Sequence, residues 1–300
     1  MRNILLTLTL GITVLGCRAS GPNNTQPDAP ANGSADAAVP VTSIKAIRMN
    51  QPTNGAAVSL ANVVVVGGVT SKKYGHLWVQ DQGGGQYSGI QLYCNYGGTK
   101  PNCGMTQAQI DGFTPGTVLN VTGNFSSFLL NTAPAGAQPV LEIDAPVITA
   151  SGGTMTPVAV DVAASVVAKA QLMGGSDPYK GTYIHVTGAT TFTASNMAAT
   201  EYAMTCTDKS TPTQTGATFG GFEATGGSQT LTIGLSFYKS LTKCLPCTGV
   251  AMPYPCVSPD LLTANQTFSS IKGVVEPQYK YMGTDVFLQI APVTNGDLAP

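Results

Sequence analysis

Asn62-Val63-Val64-Val65-Val66-Gly67-Gly68-Val69-Thr70 is the stretch that decides the fold. Four consecutive valines are β-branched residues whose side chains suit a pleated, half-buried surface. The glycine pair that interrupts them leaves room for a sharp bend or bulge in a long strand. Around it the chain alternates apolar and polar residues between Gly/Pro turns. His76-Leu77-Trp78-Val79-Gln80-Asp81 follows, then Gly89-Ile90-Gln91-Leu92-Tyr93-Cys94 beyond a glycine-rich turn. Pro115-Gly116 leads into Thr117-Val118-Leu119-Asn120-Val121-Thr122-Gly123-Asn124-Phe125, and a fifth strand runs from Val140 to Ile148. This predicts five strands, the first of them kinked.

The same order recurs downstream. Tyr183-Ile184-His185-Val186-Thr187-Gly188-Ala189-Thr190 matches the kinked strand, glycine included, and strands are expected at Tyr202–Cys206, Leu231–Tyr238, Phe268–Val275 and Val286–Ile290. Between the copies, Asp161 to Ala170 predicts a short helix capped by Asp161 and ended by Gly174-Gly175.

Five strands with a kinked first strand describe a small closed barrel of the OB type. On Val65–Thr70, Leu77–Asp81, Val118–Gly123, Pro178–Gly188 and Ile271–Val275 the chain resembles the OB-like domains of bacterial secreted proteins, some of them appended to extracellular nucleases. The fold class expected is all-β, two tandem five-stranded OB-like barrels at 41–155 and 156–300. The alternative is a pair of immunoglobulin-like sandwiches, which need about seven strands each.

The N-terminal residues carry an address. Met1-Arg2-Asn3 precedes an apolar run from Ile4 to Leu15, too short for the roughly 20 residues of a membrane span. Val14-Leu15-Gly16-Cys17 resembles the lipobox of bacterial lipoproteins. The resemblance implies cleavage of residues 1–16 and a lipidated Cys17. Several acyl chains anchor firmly where one holds weakly. Arg18 stands where that family's inner-membrane retention signal places Asp, so the outer membrane is the expected location. Residues 17–40 hold one large aliphatic side chain, Val39, and no aromatic. They read as a tether, with an extended reach of about 70 Å.

Seven cysteines become six once Cys17 is lipidated: Cys94, Cys103, Cys206, Cys244, Cys247 and Cys256. In an exported chain an even number reads as disulfides. Spacing suggests Cys94–Cys103, Cys247–Cys256 and Cys206–Cys244, among fifteen possible pairings. Zinc held by Cys206, Cys244, Cys247 and Cys256 is the alternative, although structural zinc sites normally pair two CxxC knuckles and one is present. No metal or cofactor is expected.

Charge is sparse at 10% of residues, and the chain without its first 16 carries 13 cations against 15 anions. That excludes long-range steering toward anionic partners. Catalytic patterns are incomplete. His76 and His185 fall on different copies, Gly234-Leu235-Ser236-Phe237-Tyr238 breaks the nucleophile-elbow pattern at its last position, and Gly83-Gly84-Gly85 makes a hairpin turn without the Lys-Ser/Thr of a phosphate loop. A non-enzyme is expected.

Barrels of this type bind through their second and third strands and neighbouring loops. In the first copy that region holds Lys72, Lys73, Tyr74, His76, Trp78, Tyr87, Tyr93 and Tyr96. His76, Trp78 and Gln80 share one strand face, opposite Leu77 and Val79. If Leu77 and Val79 fill the barrel, Trp78 points outward, either to stack a sugar or base or to pack against the second copy. Strong nucleic-acid binding is not expected, because Lys72-Lys73 is the only adjacent cation pair there and phosphate contacts need clusters. The reading is a membrane-anchored, non-catalytic binding or scaffolding module. Its partners would be the membrane, through the lipid, and an envelope protein, glycan or nucleic acid. The other alternative is an accessory subunit of an enzyme.

Overall fold

A computed structural model describes residues 39–300 except 71–73, 97–101, 130–138, 170–177, 199–201, 207–211, 215–220, 235–252, 257–264, 278–279, 282–283 and 286–287. The stretch read as a signal peptide, Cys17 and all of the expected tether but Val39 and Pro40 therefore lie outside the described residues. Val39–Pro300 forms one compact unit.

The chain opens with β1 (Val41–Thr42), α1 (Ile44–Asn50), β2 (Ala57–Thr70), β3 (Tyr74–Gln80), β4 (Gly89–Asn95), α2 (Gln107–Asp111), β5 (Thr117–Phe128) and β6 (Val140–Thr154). Strand β2 pairs with β5 through its first half and with β3 through its second, with irregularities at Leu60/Val63 and Val65/Gly67. β3 pairs with β4, β4 lies parallel to β6, and β6 returns antiparallel to β5. The circuit β2-β3-β4-β6-β5-β2 is closed, as the strand count and kink predicted. The fold is all-β, and its first sheet is a five-stranded ring.

Alternation fills the ring. Val63, Val65, Leu77, Val79, Ile90, Leu92, Leu119, Val121, Phe125 and Ile143 form one buried core, joined by Ile44 and Ile47 of α1 and Ile110 of α2. Each such side chain contributes roughly 1.5–3 kcal/mol by leaving water. Helix α1 is pinned to the barrel at its N-terminus. Ser43 Oγ accepts from Ala46 N at 3.1 Å, and the Asp81 carboxylate accepts from Ile44 N and Lys45 N at 3.0 and 3.1 Å. Three of the four amides that a helix start leaves unsatisfied are thus capped.

The second half adds β7 (Val160–Ala163), β8 (Tyr183–Thr187), β9 (Phe192–Ala198), β10 (Tyr202–Cys206), β11 (Pro212–Gln214), β12 (Gly221–Gly226), β13 (Gln229–Gly234), β14 (Pro253–Cys256), β15 (Thr267–Phe268), β16 (Ser270–Pro277), β17 (Lys280–Tyr281), β18 (Thr284–Asp285), β19 (Leu288–Ala291) and β20 (Leu298–Ala299). β8 pairs with β16, β16 with β19, β19 runs parallel to β13, β13 pairs with β12, and β12 with β9. Because β8 and β9 are two parts of one strand broken at Gly188, whose φ is +90°, this circuit repeats the order of the first. A separate core of Ile184, Val186, Phe192, Phe222, Leu231, Ile233, Phe268, Ile271, Val275, Leu288 and Ile290 fills it.

Two sequence readings are corrected. Tyr202–Cys206 is a strand, but it pairs with β11 and β14 in a separate three-stranded sheet, and the barrel's second strand is β12. Asp161 caps no helix. Val160–Ala163 is a strand laid parallel to β8, because Val160 and Val162 alternate with exposed neighbours. β1 lies parallel to β2 in the same manner, so each copy opens with an added strand.

Candidate functional site

The outer wall of the first barrel is built by register. Gly67 lies opposite Trp78, Trp78 opposite Gln91, Gln91 opposite Glu142 and Glu142 opposite Ser126. One step toward the β3 start, His76 faces Tyr93 and Tyr93 faces Asp144. Leu77 and Val79 do point into the barrel, so Trp78 points out, but it does not reach solvent. Its residual exposure is 3%, and it packs with Val66 and Val140 of the first barrel and Val274, Ala291, Tyr183 and Val293 of the second.

Glycine makes that joint possible. Gly181, at φ +75°, would place a Cβ 3.0 Å from the Trp78 ring, and a Cβ on Gly89 would collide with the Gly181 carbonyl. A Cβ on Gly67 would collide with Val293. Polar contacts ring the apolar centre. Tyr87 N donates to Pro178 O at 2.7 Å, Gln80 Nε2 to Val158 O at 3.0 Å, and Gln86 Nε2 to Tyr179 Oη at 3.0 Å. The buried Arg48 guanidinium donates to the carbonyls of Gly89, Pro178 and Lys180 and lies 5.3 Å from the Tyr87 ring centroid. Lys180 Nζ donates to Pro139 O. Tyr87 takes a left-handed φ of +63°, a conformation that costs a non-glycine residue free energy and is held here by its contacts across the joint.

Beside the joint lies a polar strip. Gln91 and Glu142 are each 6% exposed. Gln91 Nε2 donates to His76 Nδ1 and reaches Glu142 Oε2 at 3.4 Å. Burial lowers the His76 pKa to about 4, which keeps its imidazole neutral and able to accept that bond. Burial, reinforced by the Asp144 charge and opposed by a Ser126 hydrogen bond, raises the Glu142 carboxyl to about 7. The Tyr93 ring tilts against His76 with centroids 5.2 Å apart, and Asn102 Nδ2 donates to Asp144. The strip can exchange a proton near neutral pH. Among the described residues no group of three His, Cys, Asp or Glu side chains could hold a metal.

Of the residues read as a binding face, the structure brings His76 and Tyr93 together, places Trp78 and Tyr87 at the joint and packs Tyr96 against the barrel core. Lys72 and Lys73 lie outside the described residues, and Tyr74 is placed by its backbone alone. Cys94 and Cys103 form a disulfide. Cys206 and Cys256 are placed on β10 and β14 by backbone only, and Cys244 and Cys247, with the bridges and the zinc alternative read for these four, lie outside the described residues. His185 Nδ1 meets Asp161 Oδ1 at 2.8 Å, far from His76 in sequence and on the other barrel. Arg48, Gln91, Glu142 and Gly181 escaped the sequence reading. Gln91 and Glu142 occupy outward positions of apolar strands, where a polar residue ordinarily faces water.

No family model matches this chain, and no curated protein matches it. Among solved structures it matches a replication protein A heterotrimer bound to single-stranded DNA, at 10% identity and a TM-score of 0.23, over 84% of this chain and 68% of that one. At that score nothing about this chain's ligand follows.

Proposed function

We propose that the protein is a lipid-anchored, exported scaffolding module whose two barrels form one rigid, non-catalytic body held off a bacterial membrane. Trp78 carries this reading, because the largest aromatic of the expected ligand face is spent on the joint between the barrels. The lipobox-like Val14–Cys17 and the polar stretch after it support the anchor and the tether, and Arg18 supports the outer membrane. Acyl mass on Cys17 of the mature protein is the expected result, and a mature protein without acyl mass there rejects the anchor.

NMR relaxation tests the rigid body. Both barrels are expected to report one rotational correlation time, and two distinct times reject the reading. A second reading, weak glycan or nucleic-acid binding, rests on the half-buried Tyr93 beside His76. Chemical-shift mapping with oligosaccharide and single-stranded oligonucleotide panels decides it, with shifts confined to β3 and β4 in its favour.

A further inference from the structure

We propose that Gln91 and Glu142 form a proton-operated latch at the margin of the inter-barrel joint, tight while Glu142 holds its proton and loosened when it gives the proton up. The proposal rests on the joint described above and adds its regulation. Gln91 stands directly between Trp78 and Glu142 in the strand register, and Val140, two residues from Glu142 on the same face of β6, belongs to the joint cluster. A charge on Glu142 in a wall this dry draws in water, and Gln91 is the side chain that must move to admit it.

The groups around the carboxyl offset that charge only in part. Gln91 approaches from β4 and Ser126 from β5, while Asp144 on β6 itself adds a like charge. His76 on β3 reaches the site through Gln91 as a neutral acceptor. From the second barrel a cation arrives nearby, Lys180, whose ammonium donates to the carbonyl of Pro139, the residue before β6. The raised carboxyl pKa places the change near neutral pH.

Trp78 is the only tryptophan in the chain, so its fluorescence reports the joint directly. Emission and acrylamide quenching are measured from pH 5.5 to 8.5, with far-UV circular dichroism showing that the strands persist. The wild type is expected to shift to the red and to become at least twofold more quenchable, with a midpoint near 7. Glu142→Gln is expected to abolish the transition. Asp144→Asn, which removes the neighbouring charge, is expected to move the midpoint to lower pH. A blue, poorly quenched emission that is flat with pH in the wild type overturns the latch and leaves the joint standing. An unchanged transition in Glu142→Gln or in Asp144→Asn also overturns it. Solvent-like emission at every pH overturns the joint itself, and the latch with it.

Discussion

Trp78 and Glu142 stand two places apart in one lateral row of the barrel wall and meet opposite fates on burial. The indole loses its apolar surface to the second barrel, so Trp78→Ala is expected to cost about 3 kcal/mol, read as a lower urea midpoint. The carboxyl of Glu142 is raised from 4.5 to about 7, so the stability tied to its proton is complete below 4.5 and lost as pH climbs to 7. His76 runs the other way. Its pKa falls from 6.5 to about 4, so its contribution is complete above 6.5 and lost as pH descends toward 4. Between about 4.5 and 6.5 the two slopes oppose each other, and the wild type is expected to show nearly flat stability. Glu142→Gln should unmask stability that rises with pH across that window, and His76→Asn stability that falls. Denaturant titrations at half-unit pH intervals check both, and equal slopes in the two variants would remove the assigned roles.

At the scale of elements, alternation in the first copy was legible because every strand there is bounded by turn residues and carries its apolar side chains on one face. In the second copy the legibility broke at β12, Gly221–Gly226, a strand with little β-branched character. The Gly226-Gly227-Ser228 turn joining it to β13 was the available signal, with Gly227 at φ +60°. The two kink glycines proved to have different causes. Gly188 supplies a left-handed φ, whereas Gly67 supplies space for Val293 of the other barrel, a long-range requirement that local pattern cannot reveal. For the same reason the strip of Gln91 and Glu142 was not legible, since burial of an outward polar residue depends on what covers it. The Cys94–Cys103 bridge was legible from spacing alone. It closes a nine-residue separation next to the core, and its removal as Cys94→Ala with Cys103→Ala is expected to cost about 2–3 kcal/mol in a urea titration. An unchanged midpoint would mean that the core of the first barrel holds that loop without the bridge.

For the molecule as a whole, two separate hydrophobic cores share one small apolar joint, so the joint and not the barrels is the part that can yield alone. It is head to tail. The first barrel offers Val66, Trp78 and Val140 of its first, second and fifth strands, and the second offers β8, β16 and β19. On the second barrel's own second strand the outward Glu223 is tied to Lys169 at 2.6 Å, so no tryptophan waits there to continue the array. Gly181→Val drives a side chain between the Gly89 carbonyl and the Trp78 ring, and is expected to separate the barrels while each keeps its core. Thermal unfolding should split from one transition into two, and small-angle scattering should show a larger radius of gyration. Because Gly181 sits at φ +75°, part of the effect is backbone strain, and Gly227→Val, at φ +60° with open space around it, supplies that strain without the wedge. The Gly227 variant should lose stability and keep a single transition. If Gly181→Val also keeps one transition and an unchanged radius, the two cores are coupled by more than this joint, and the rigid scaffolding body must find its rigidity elsewhere.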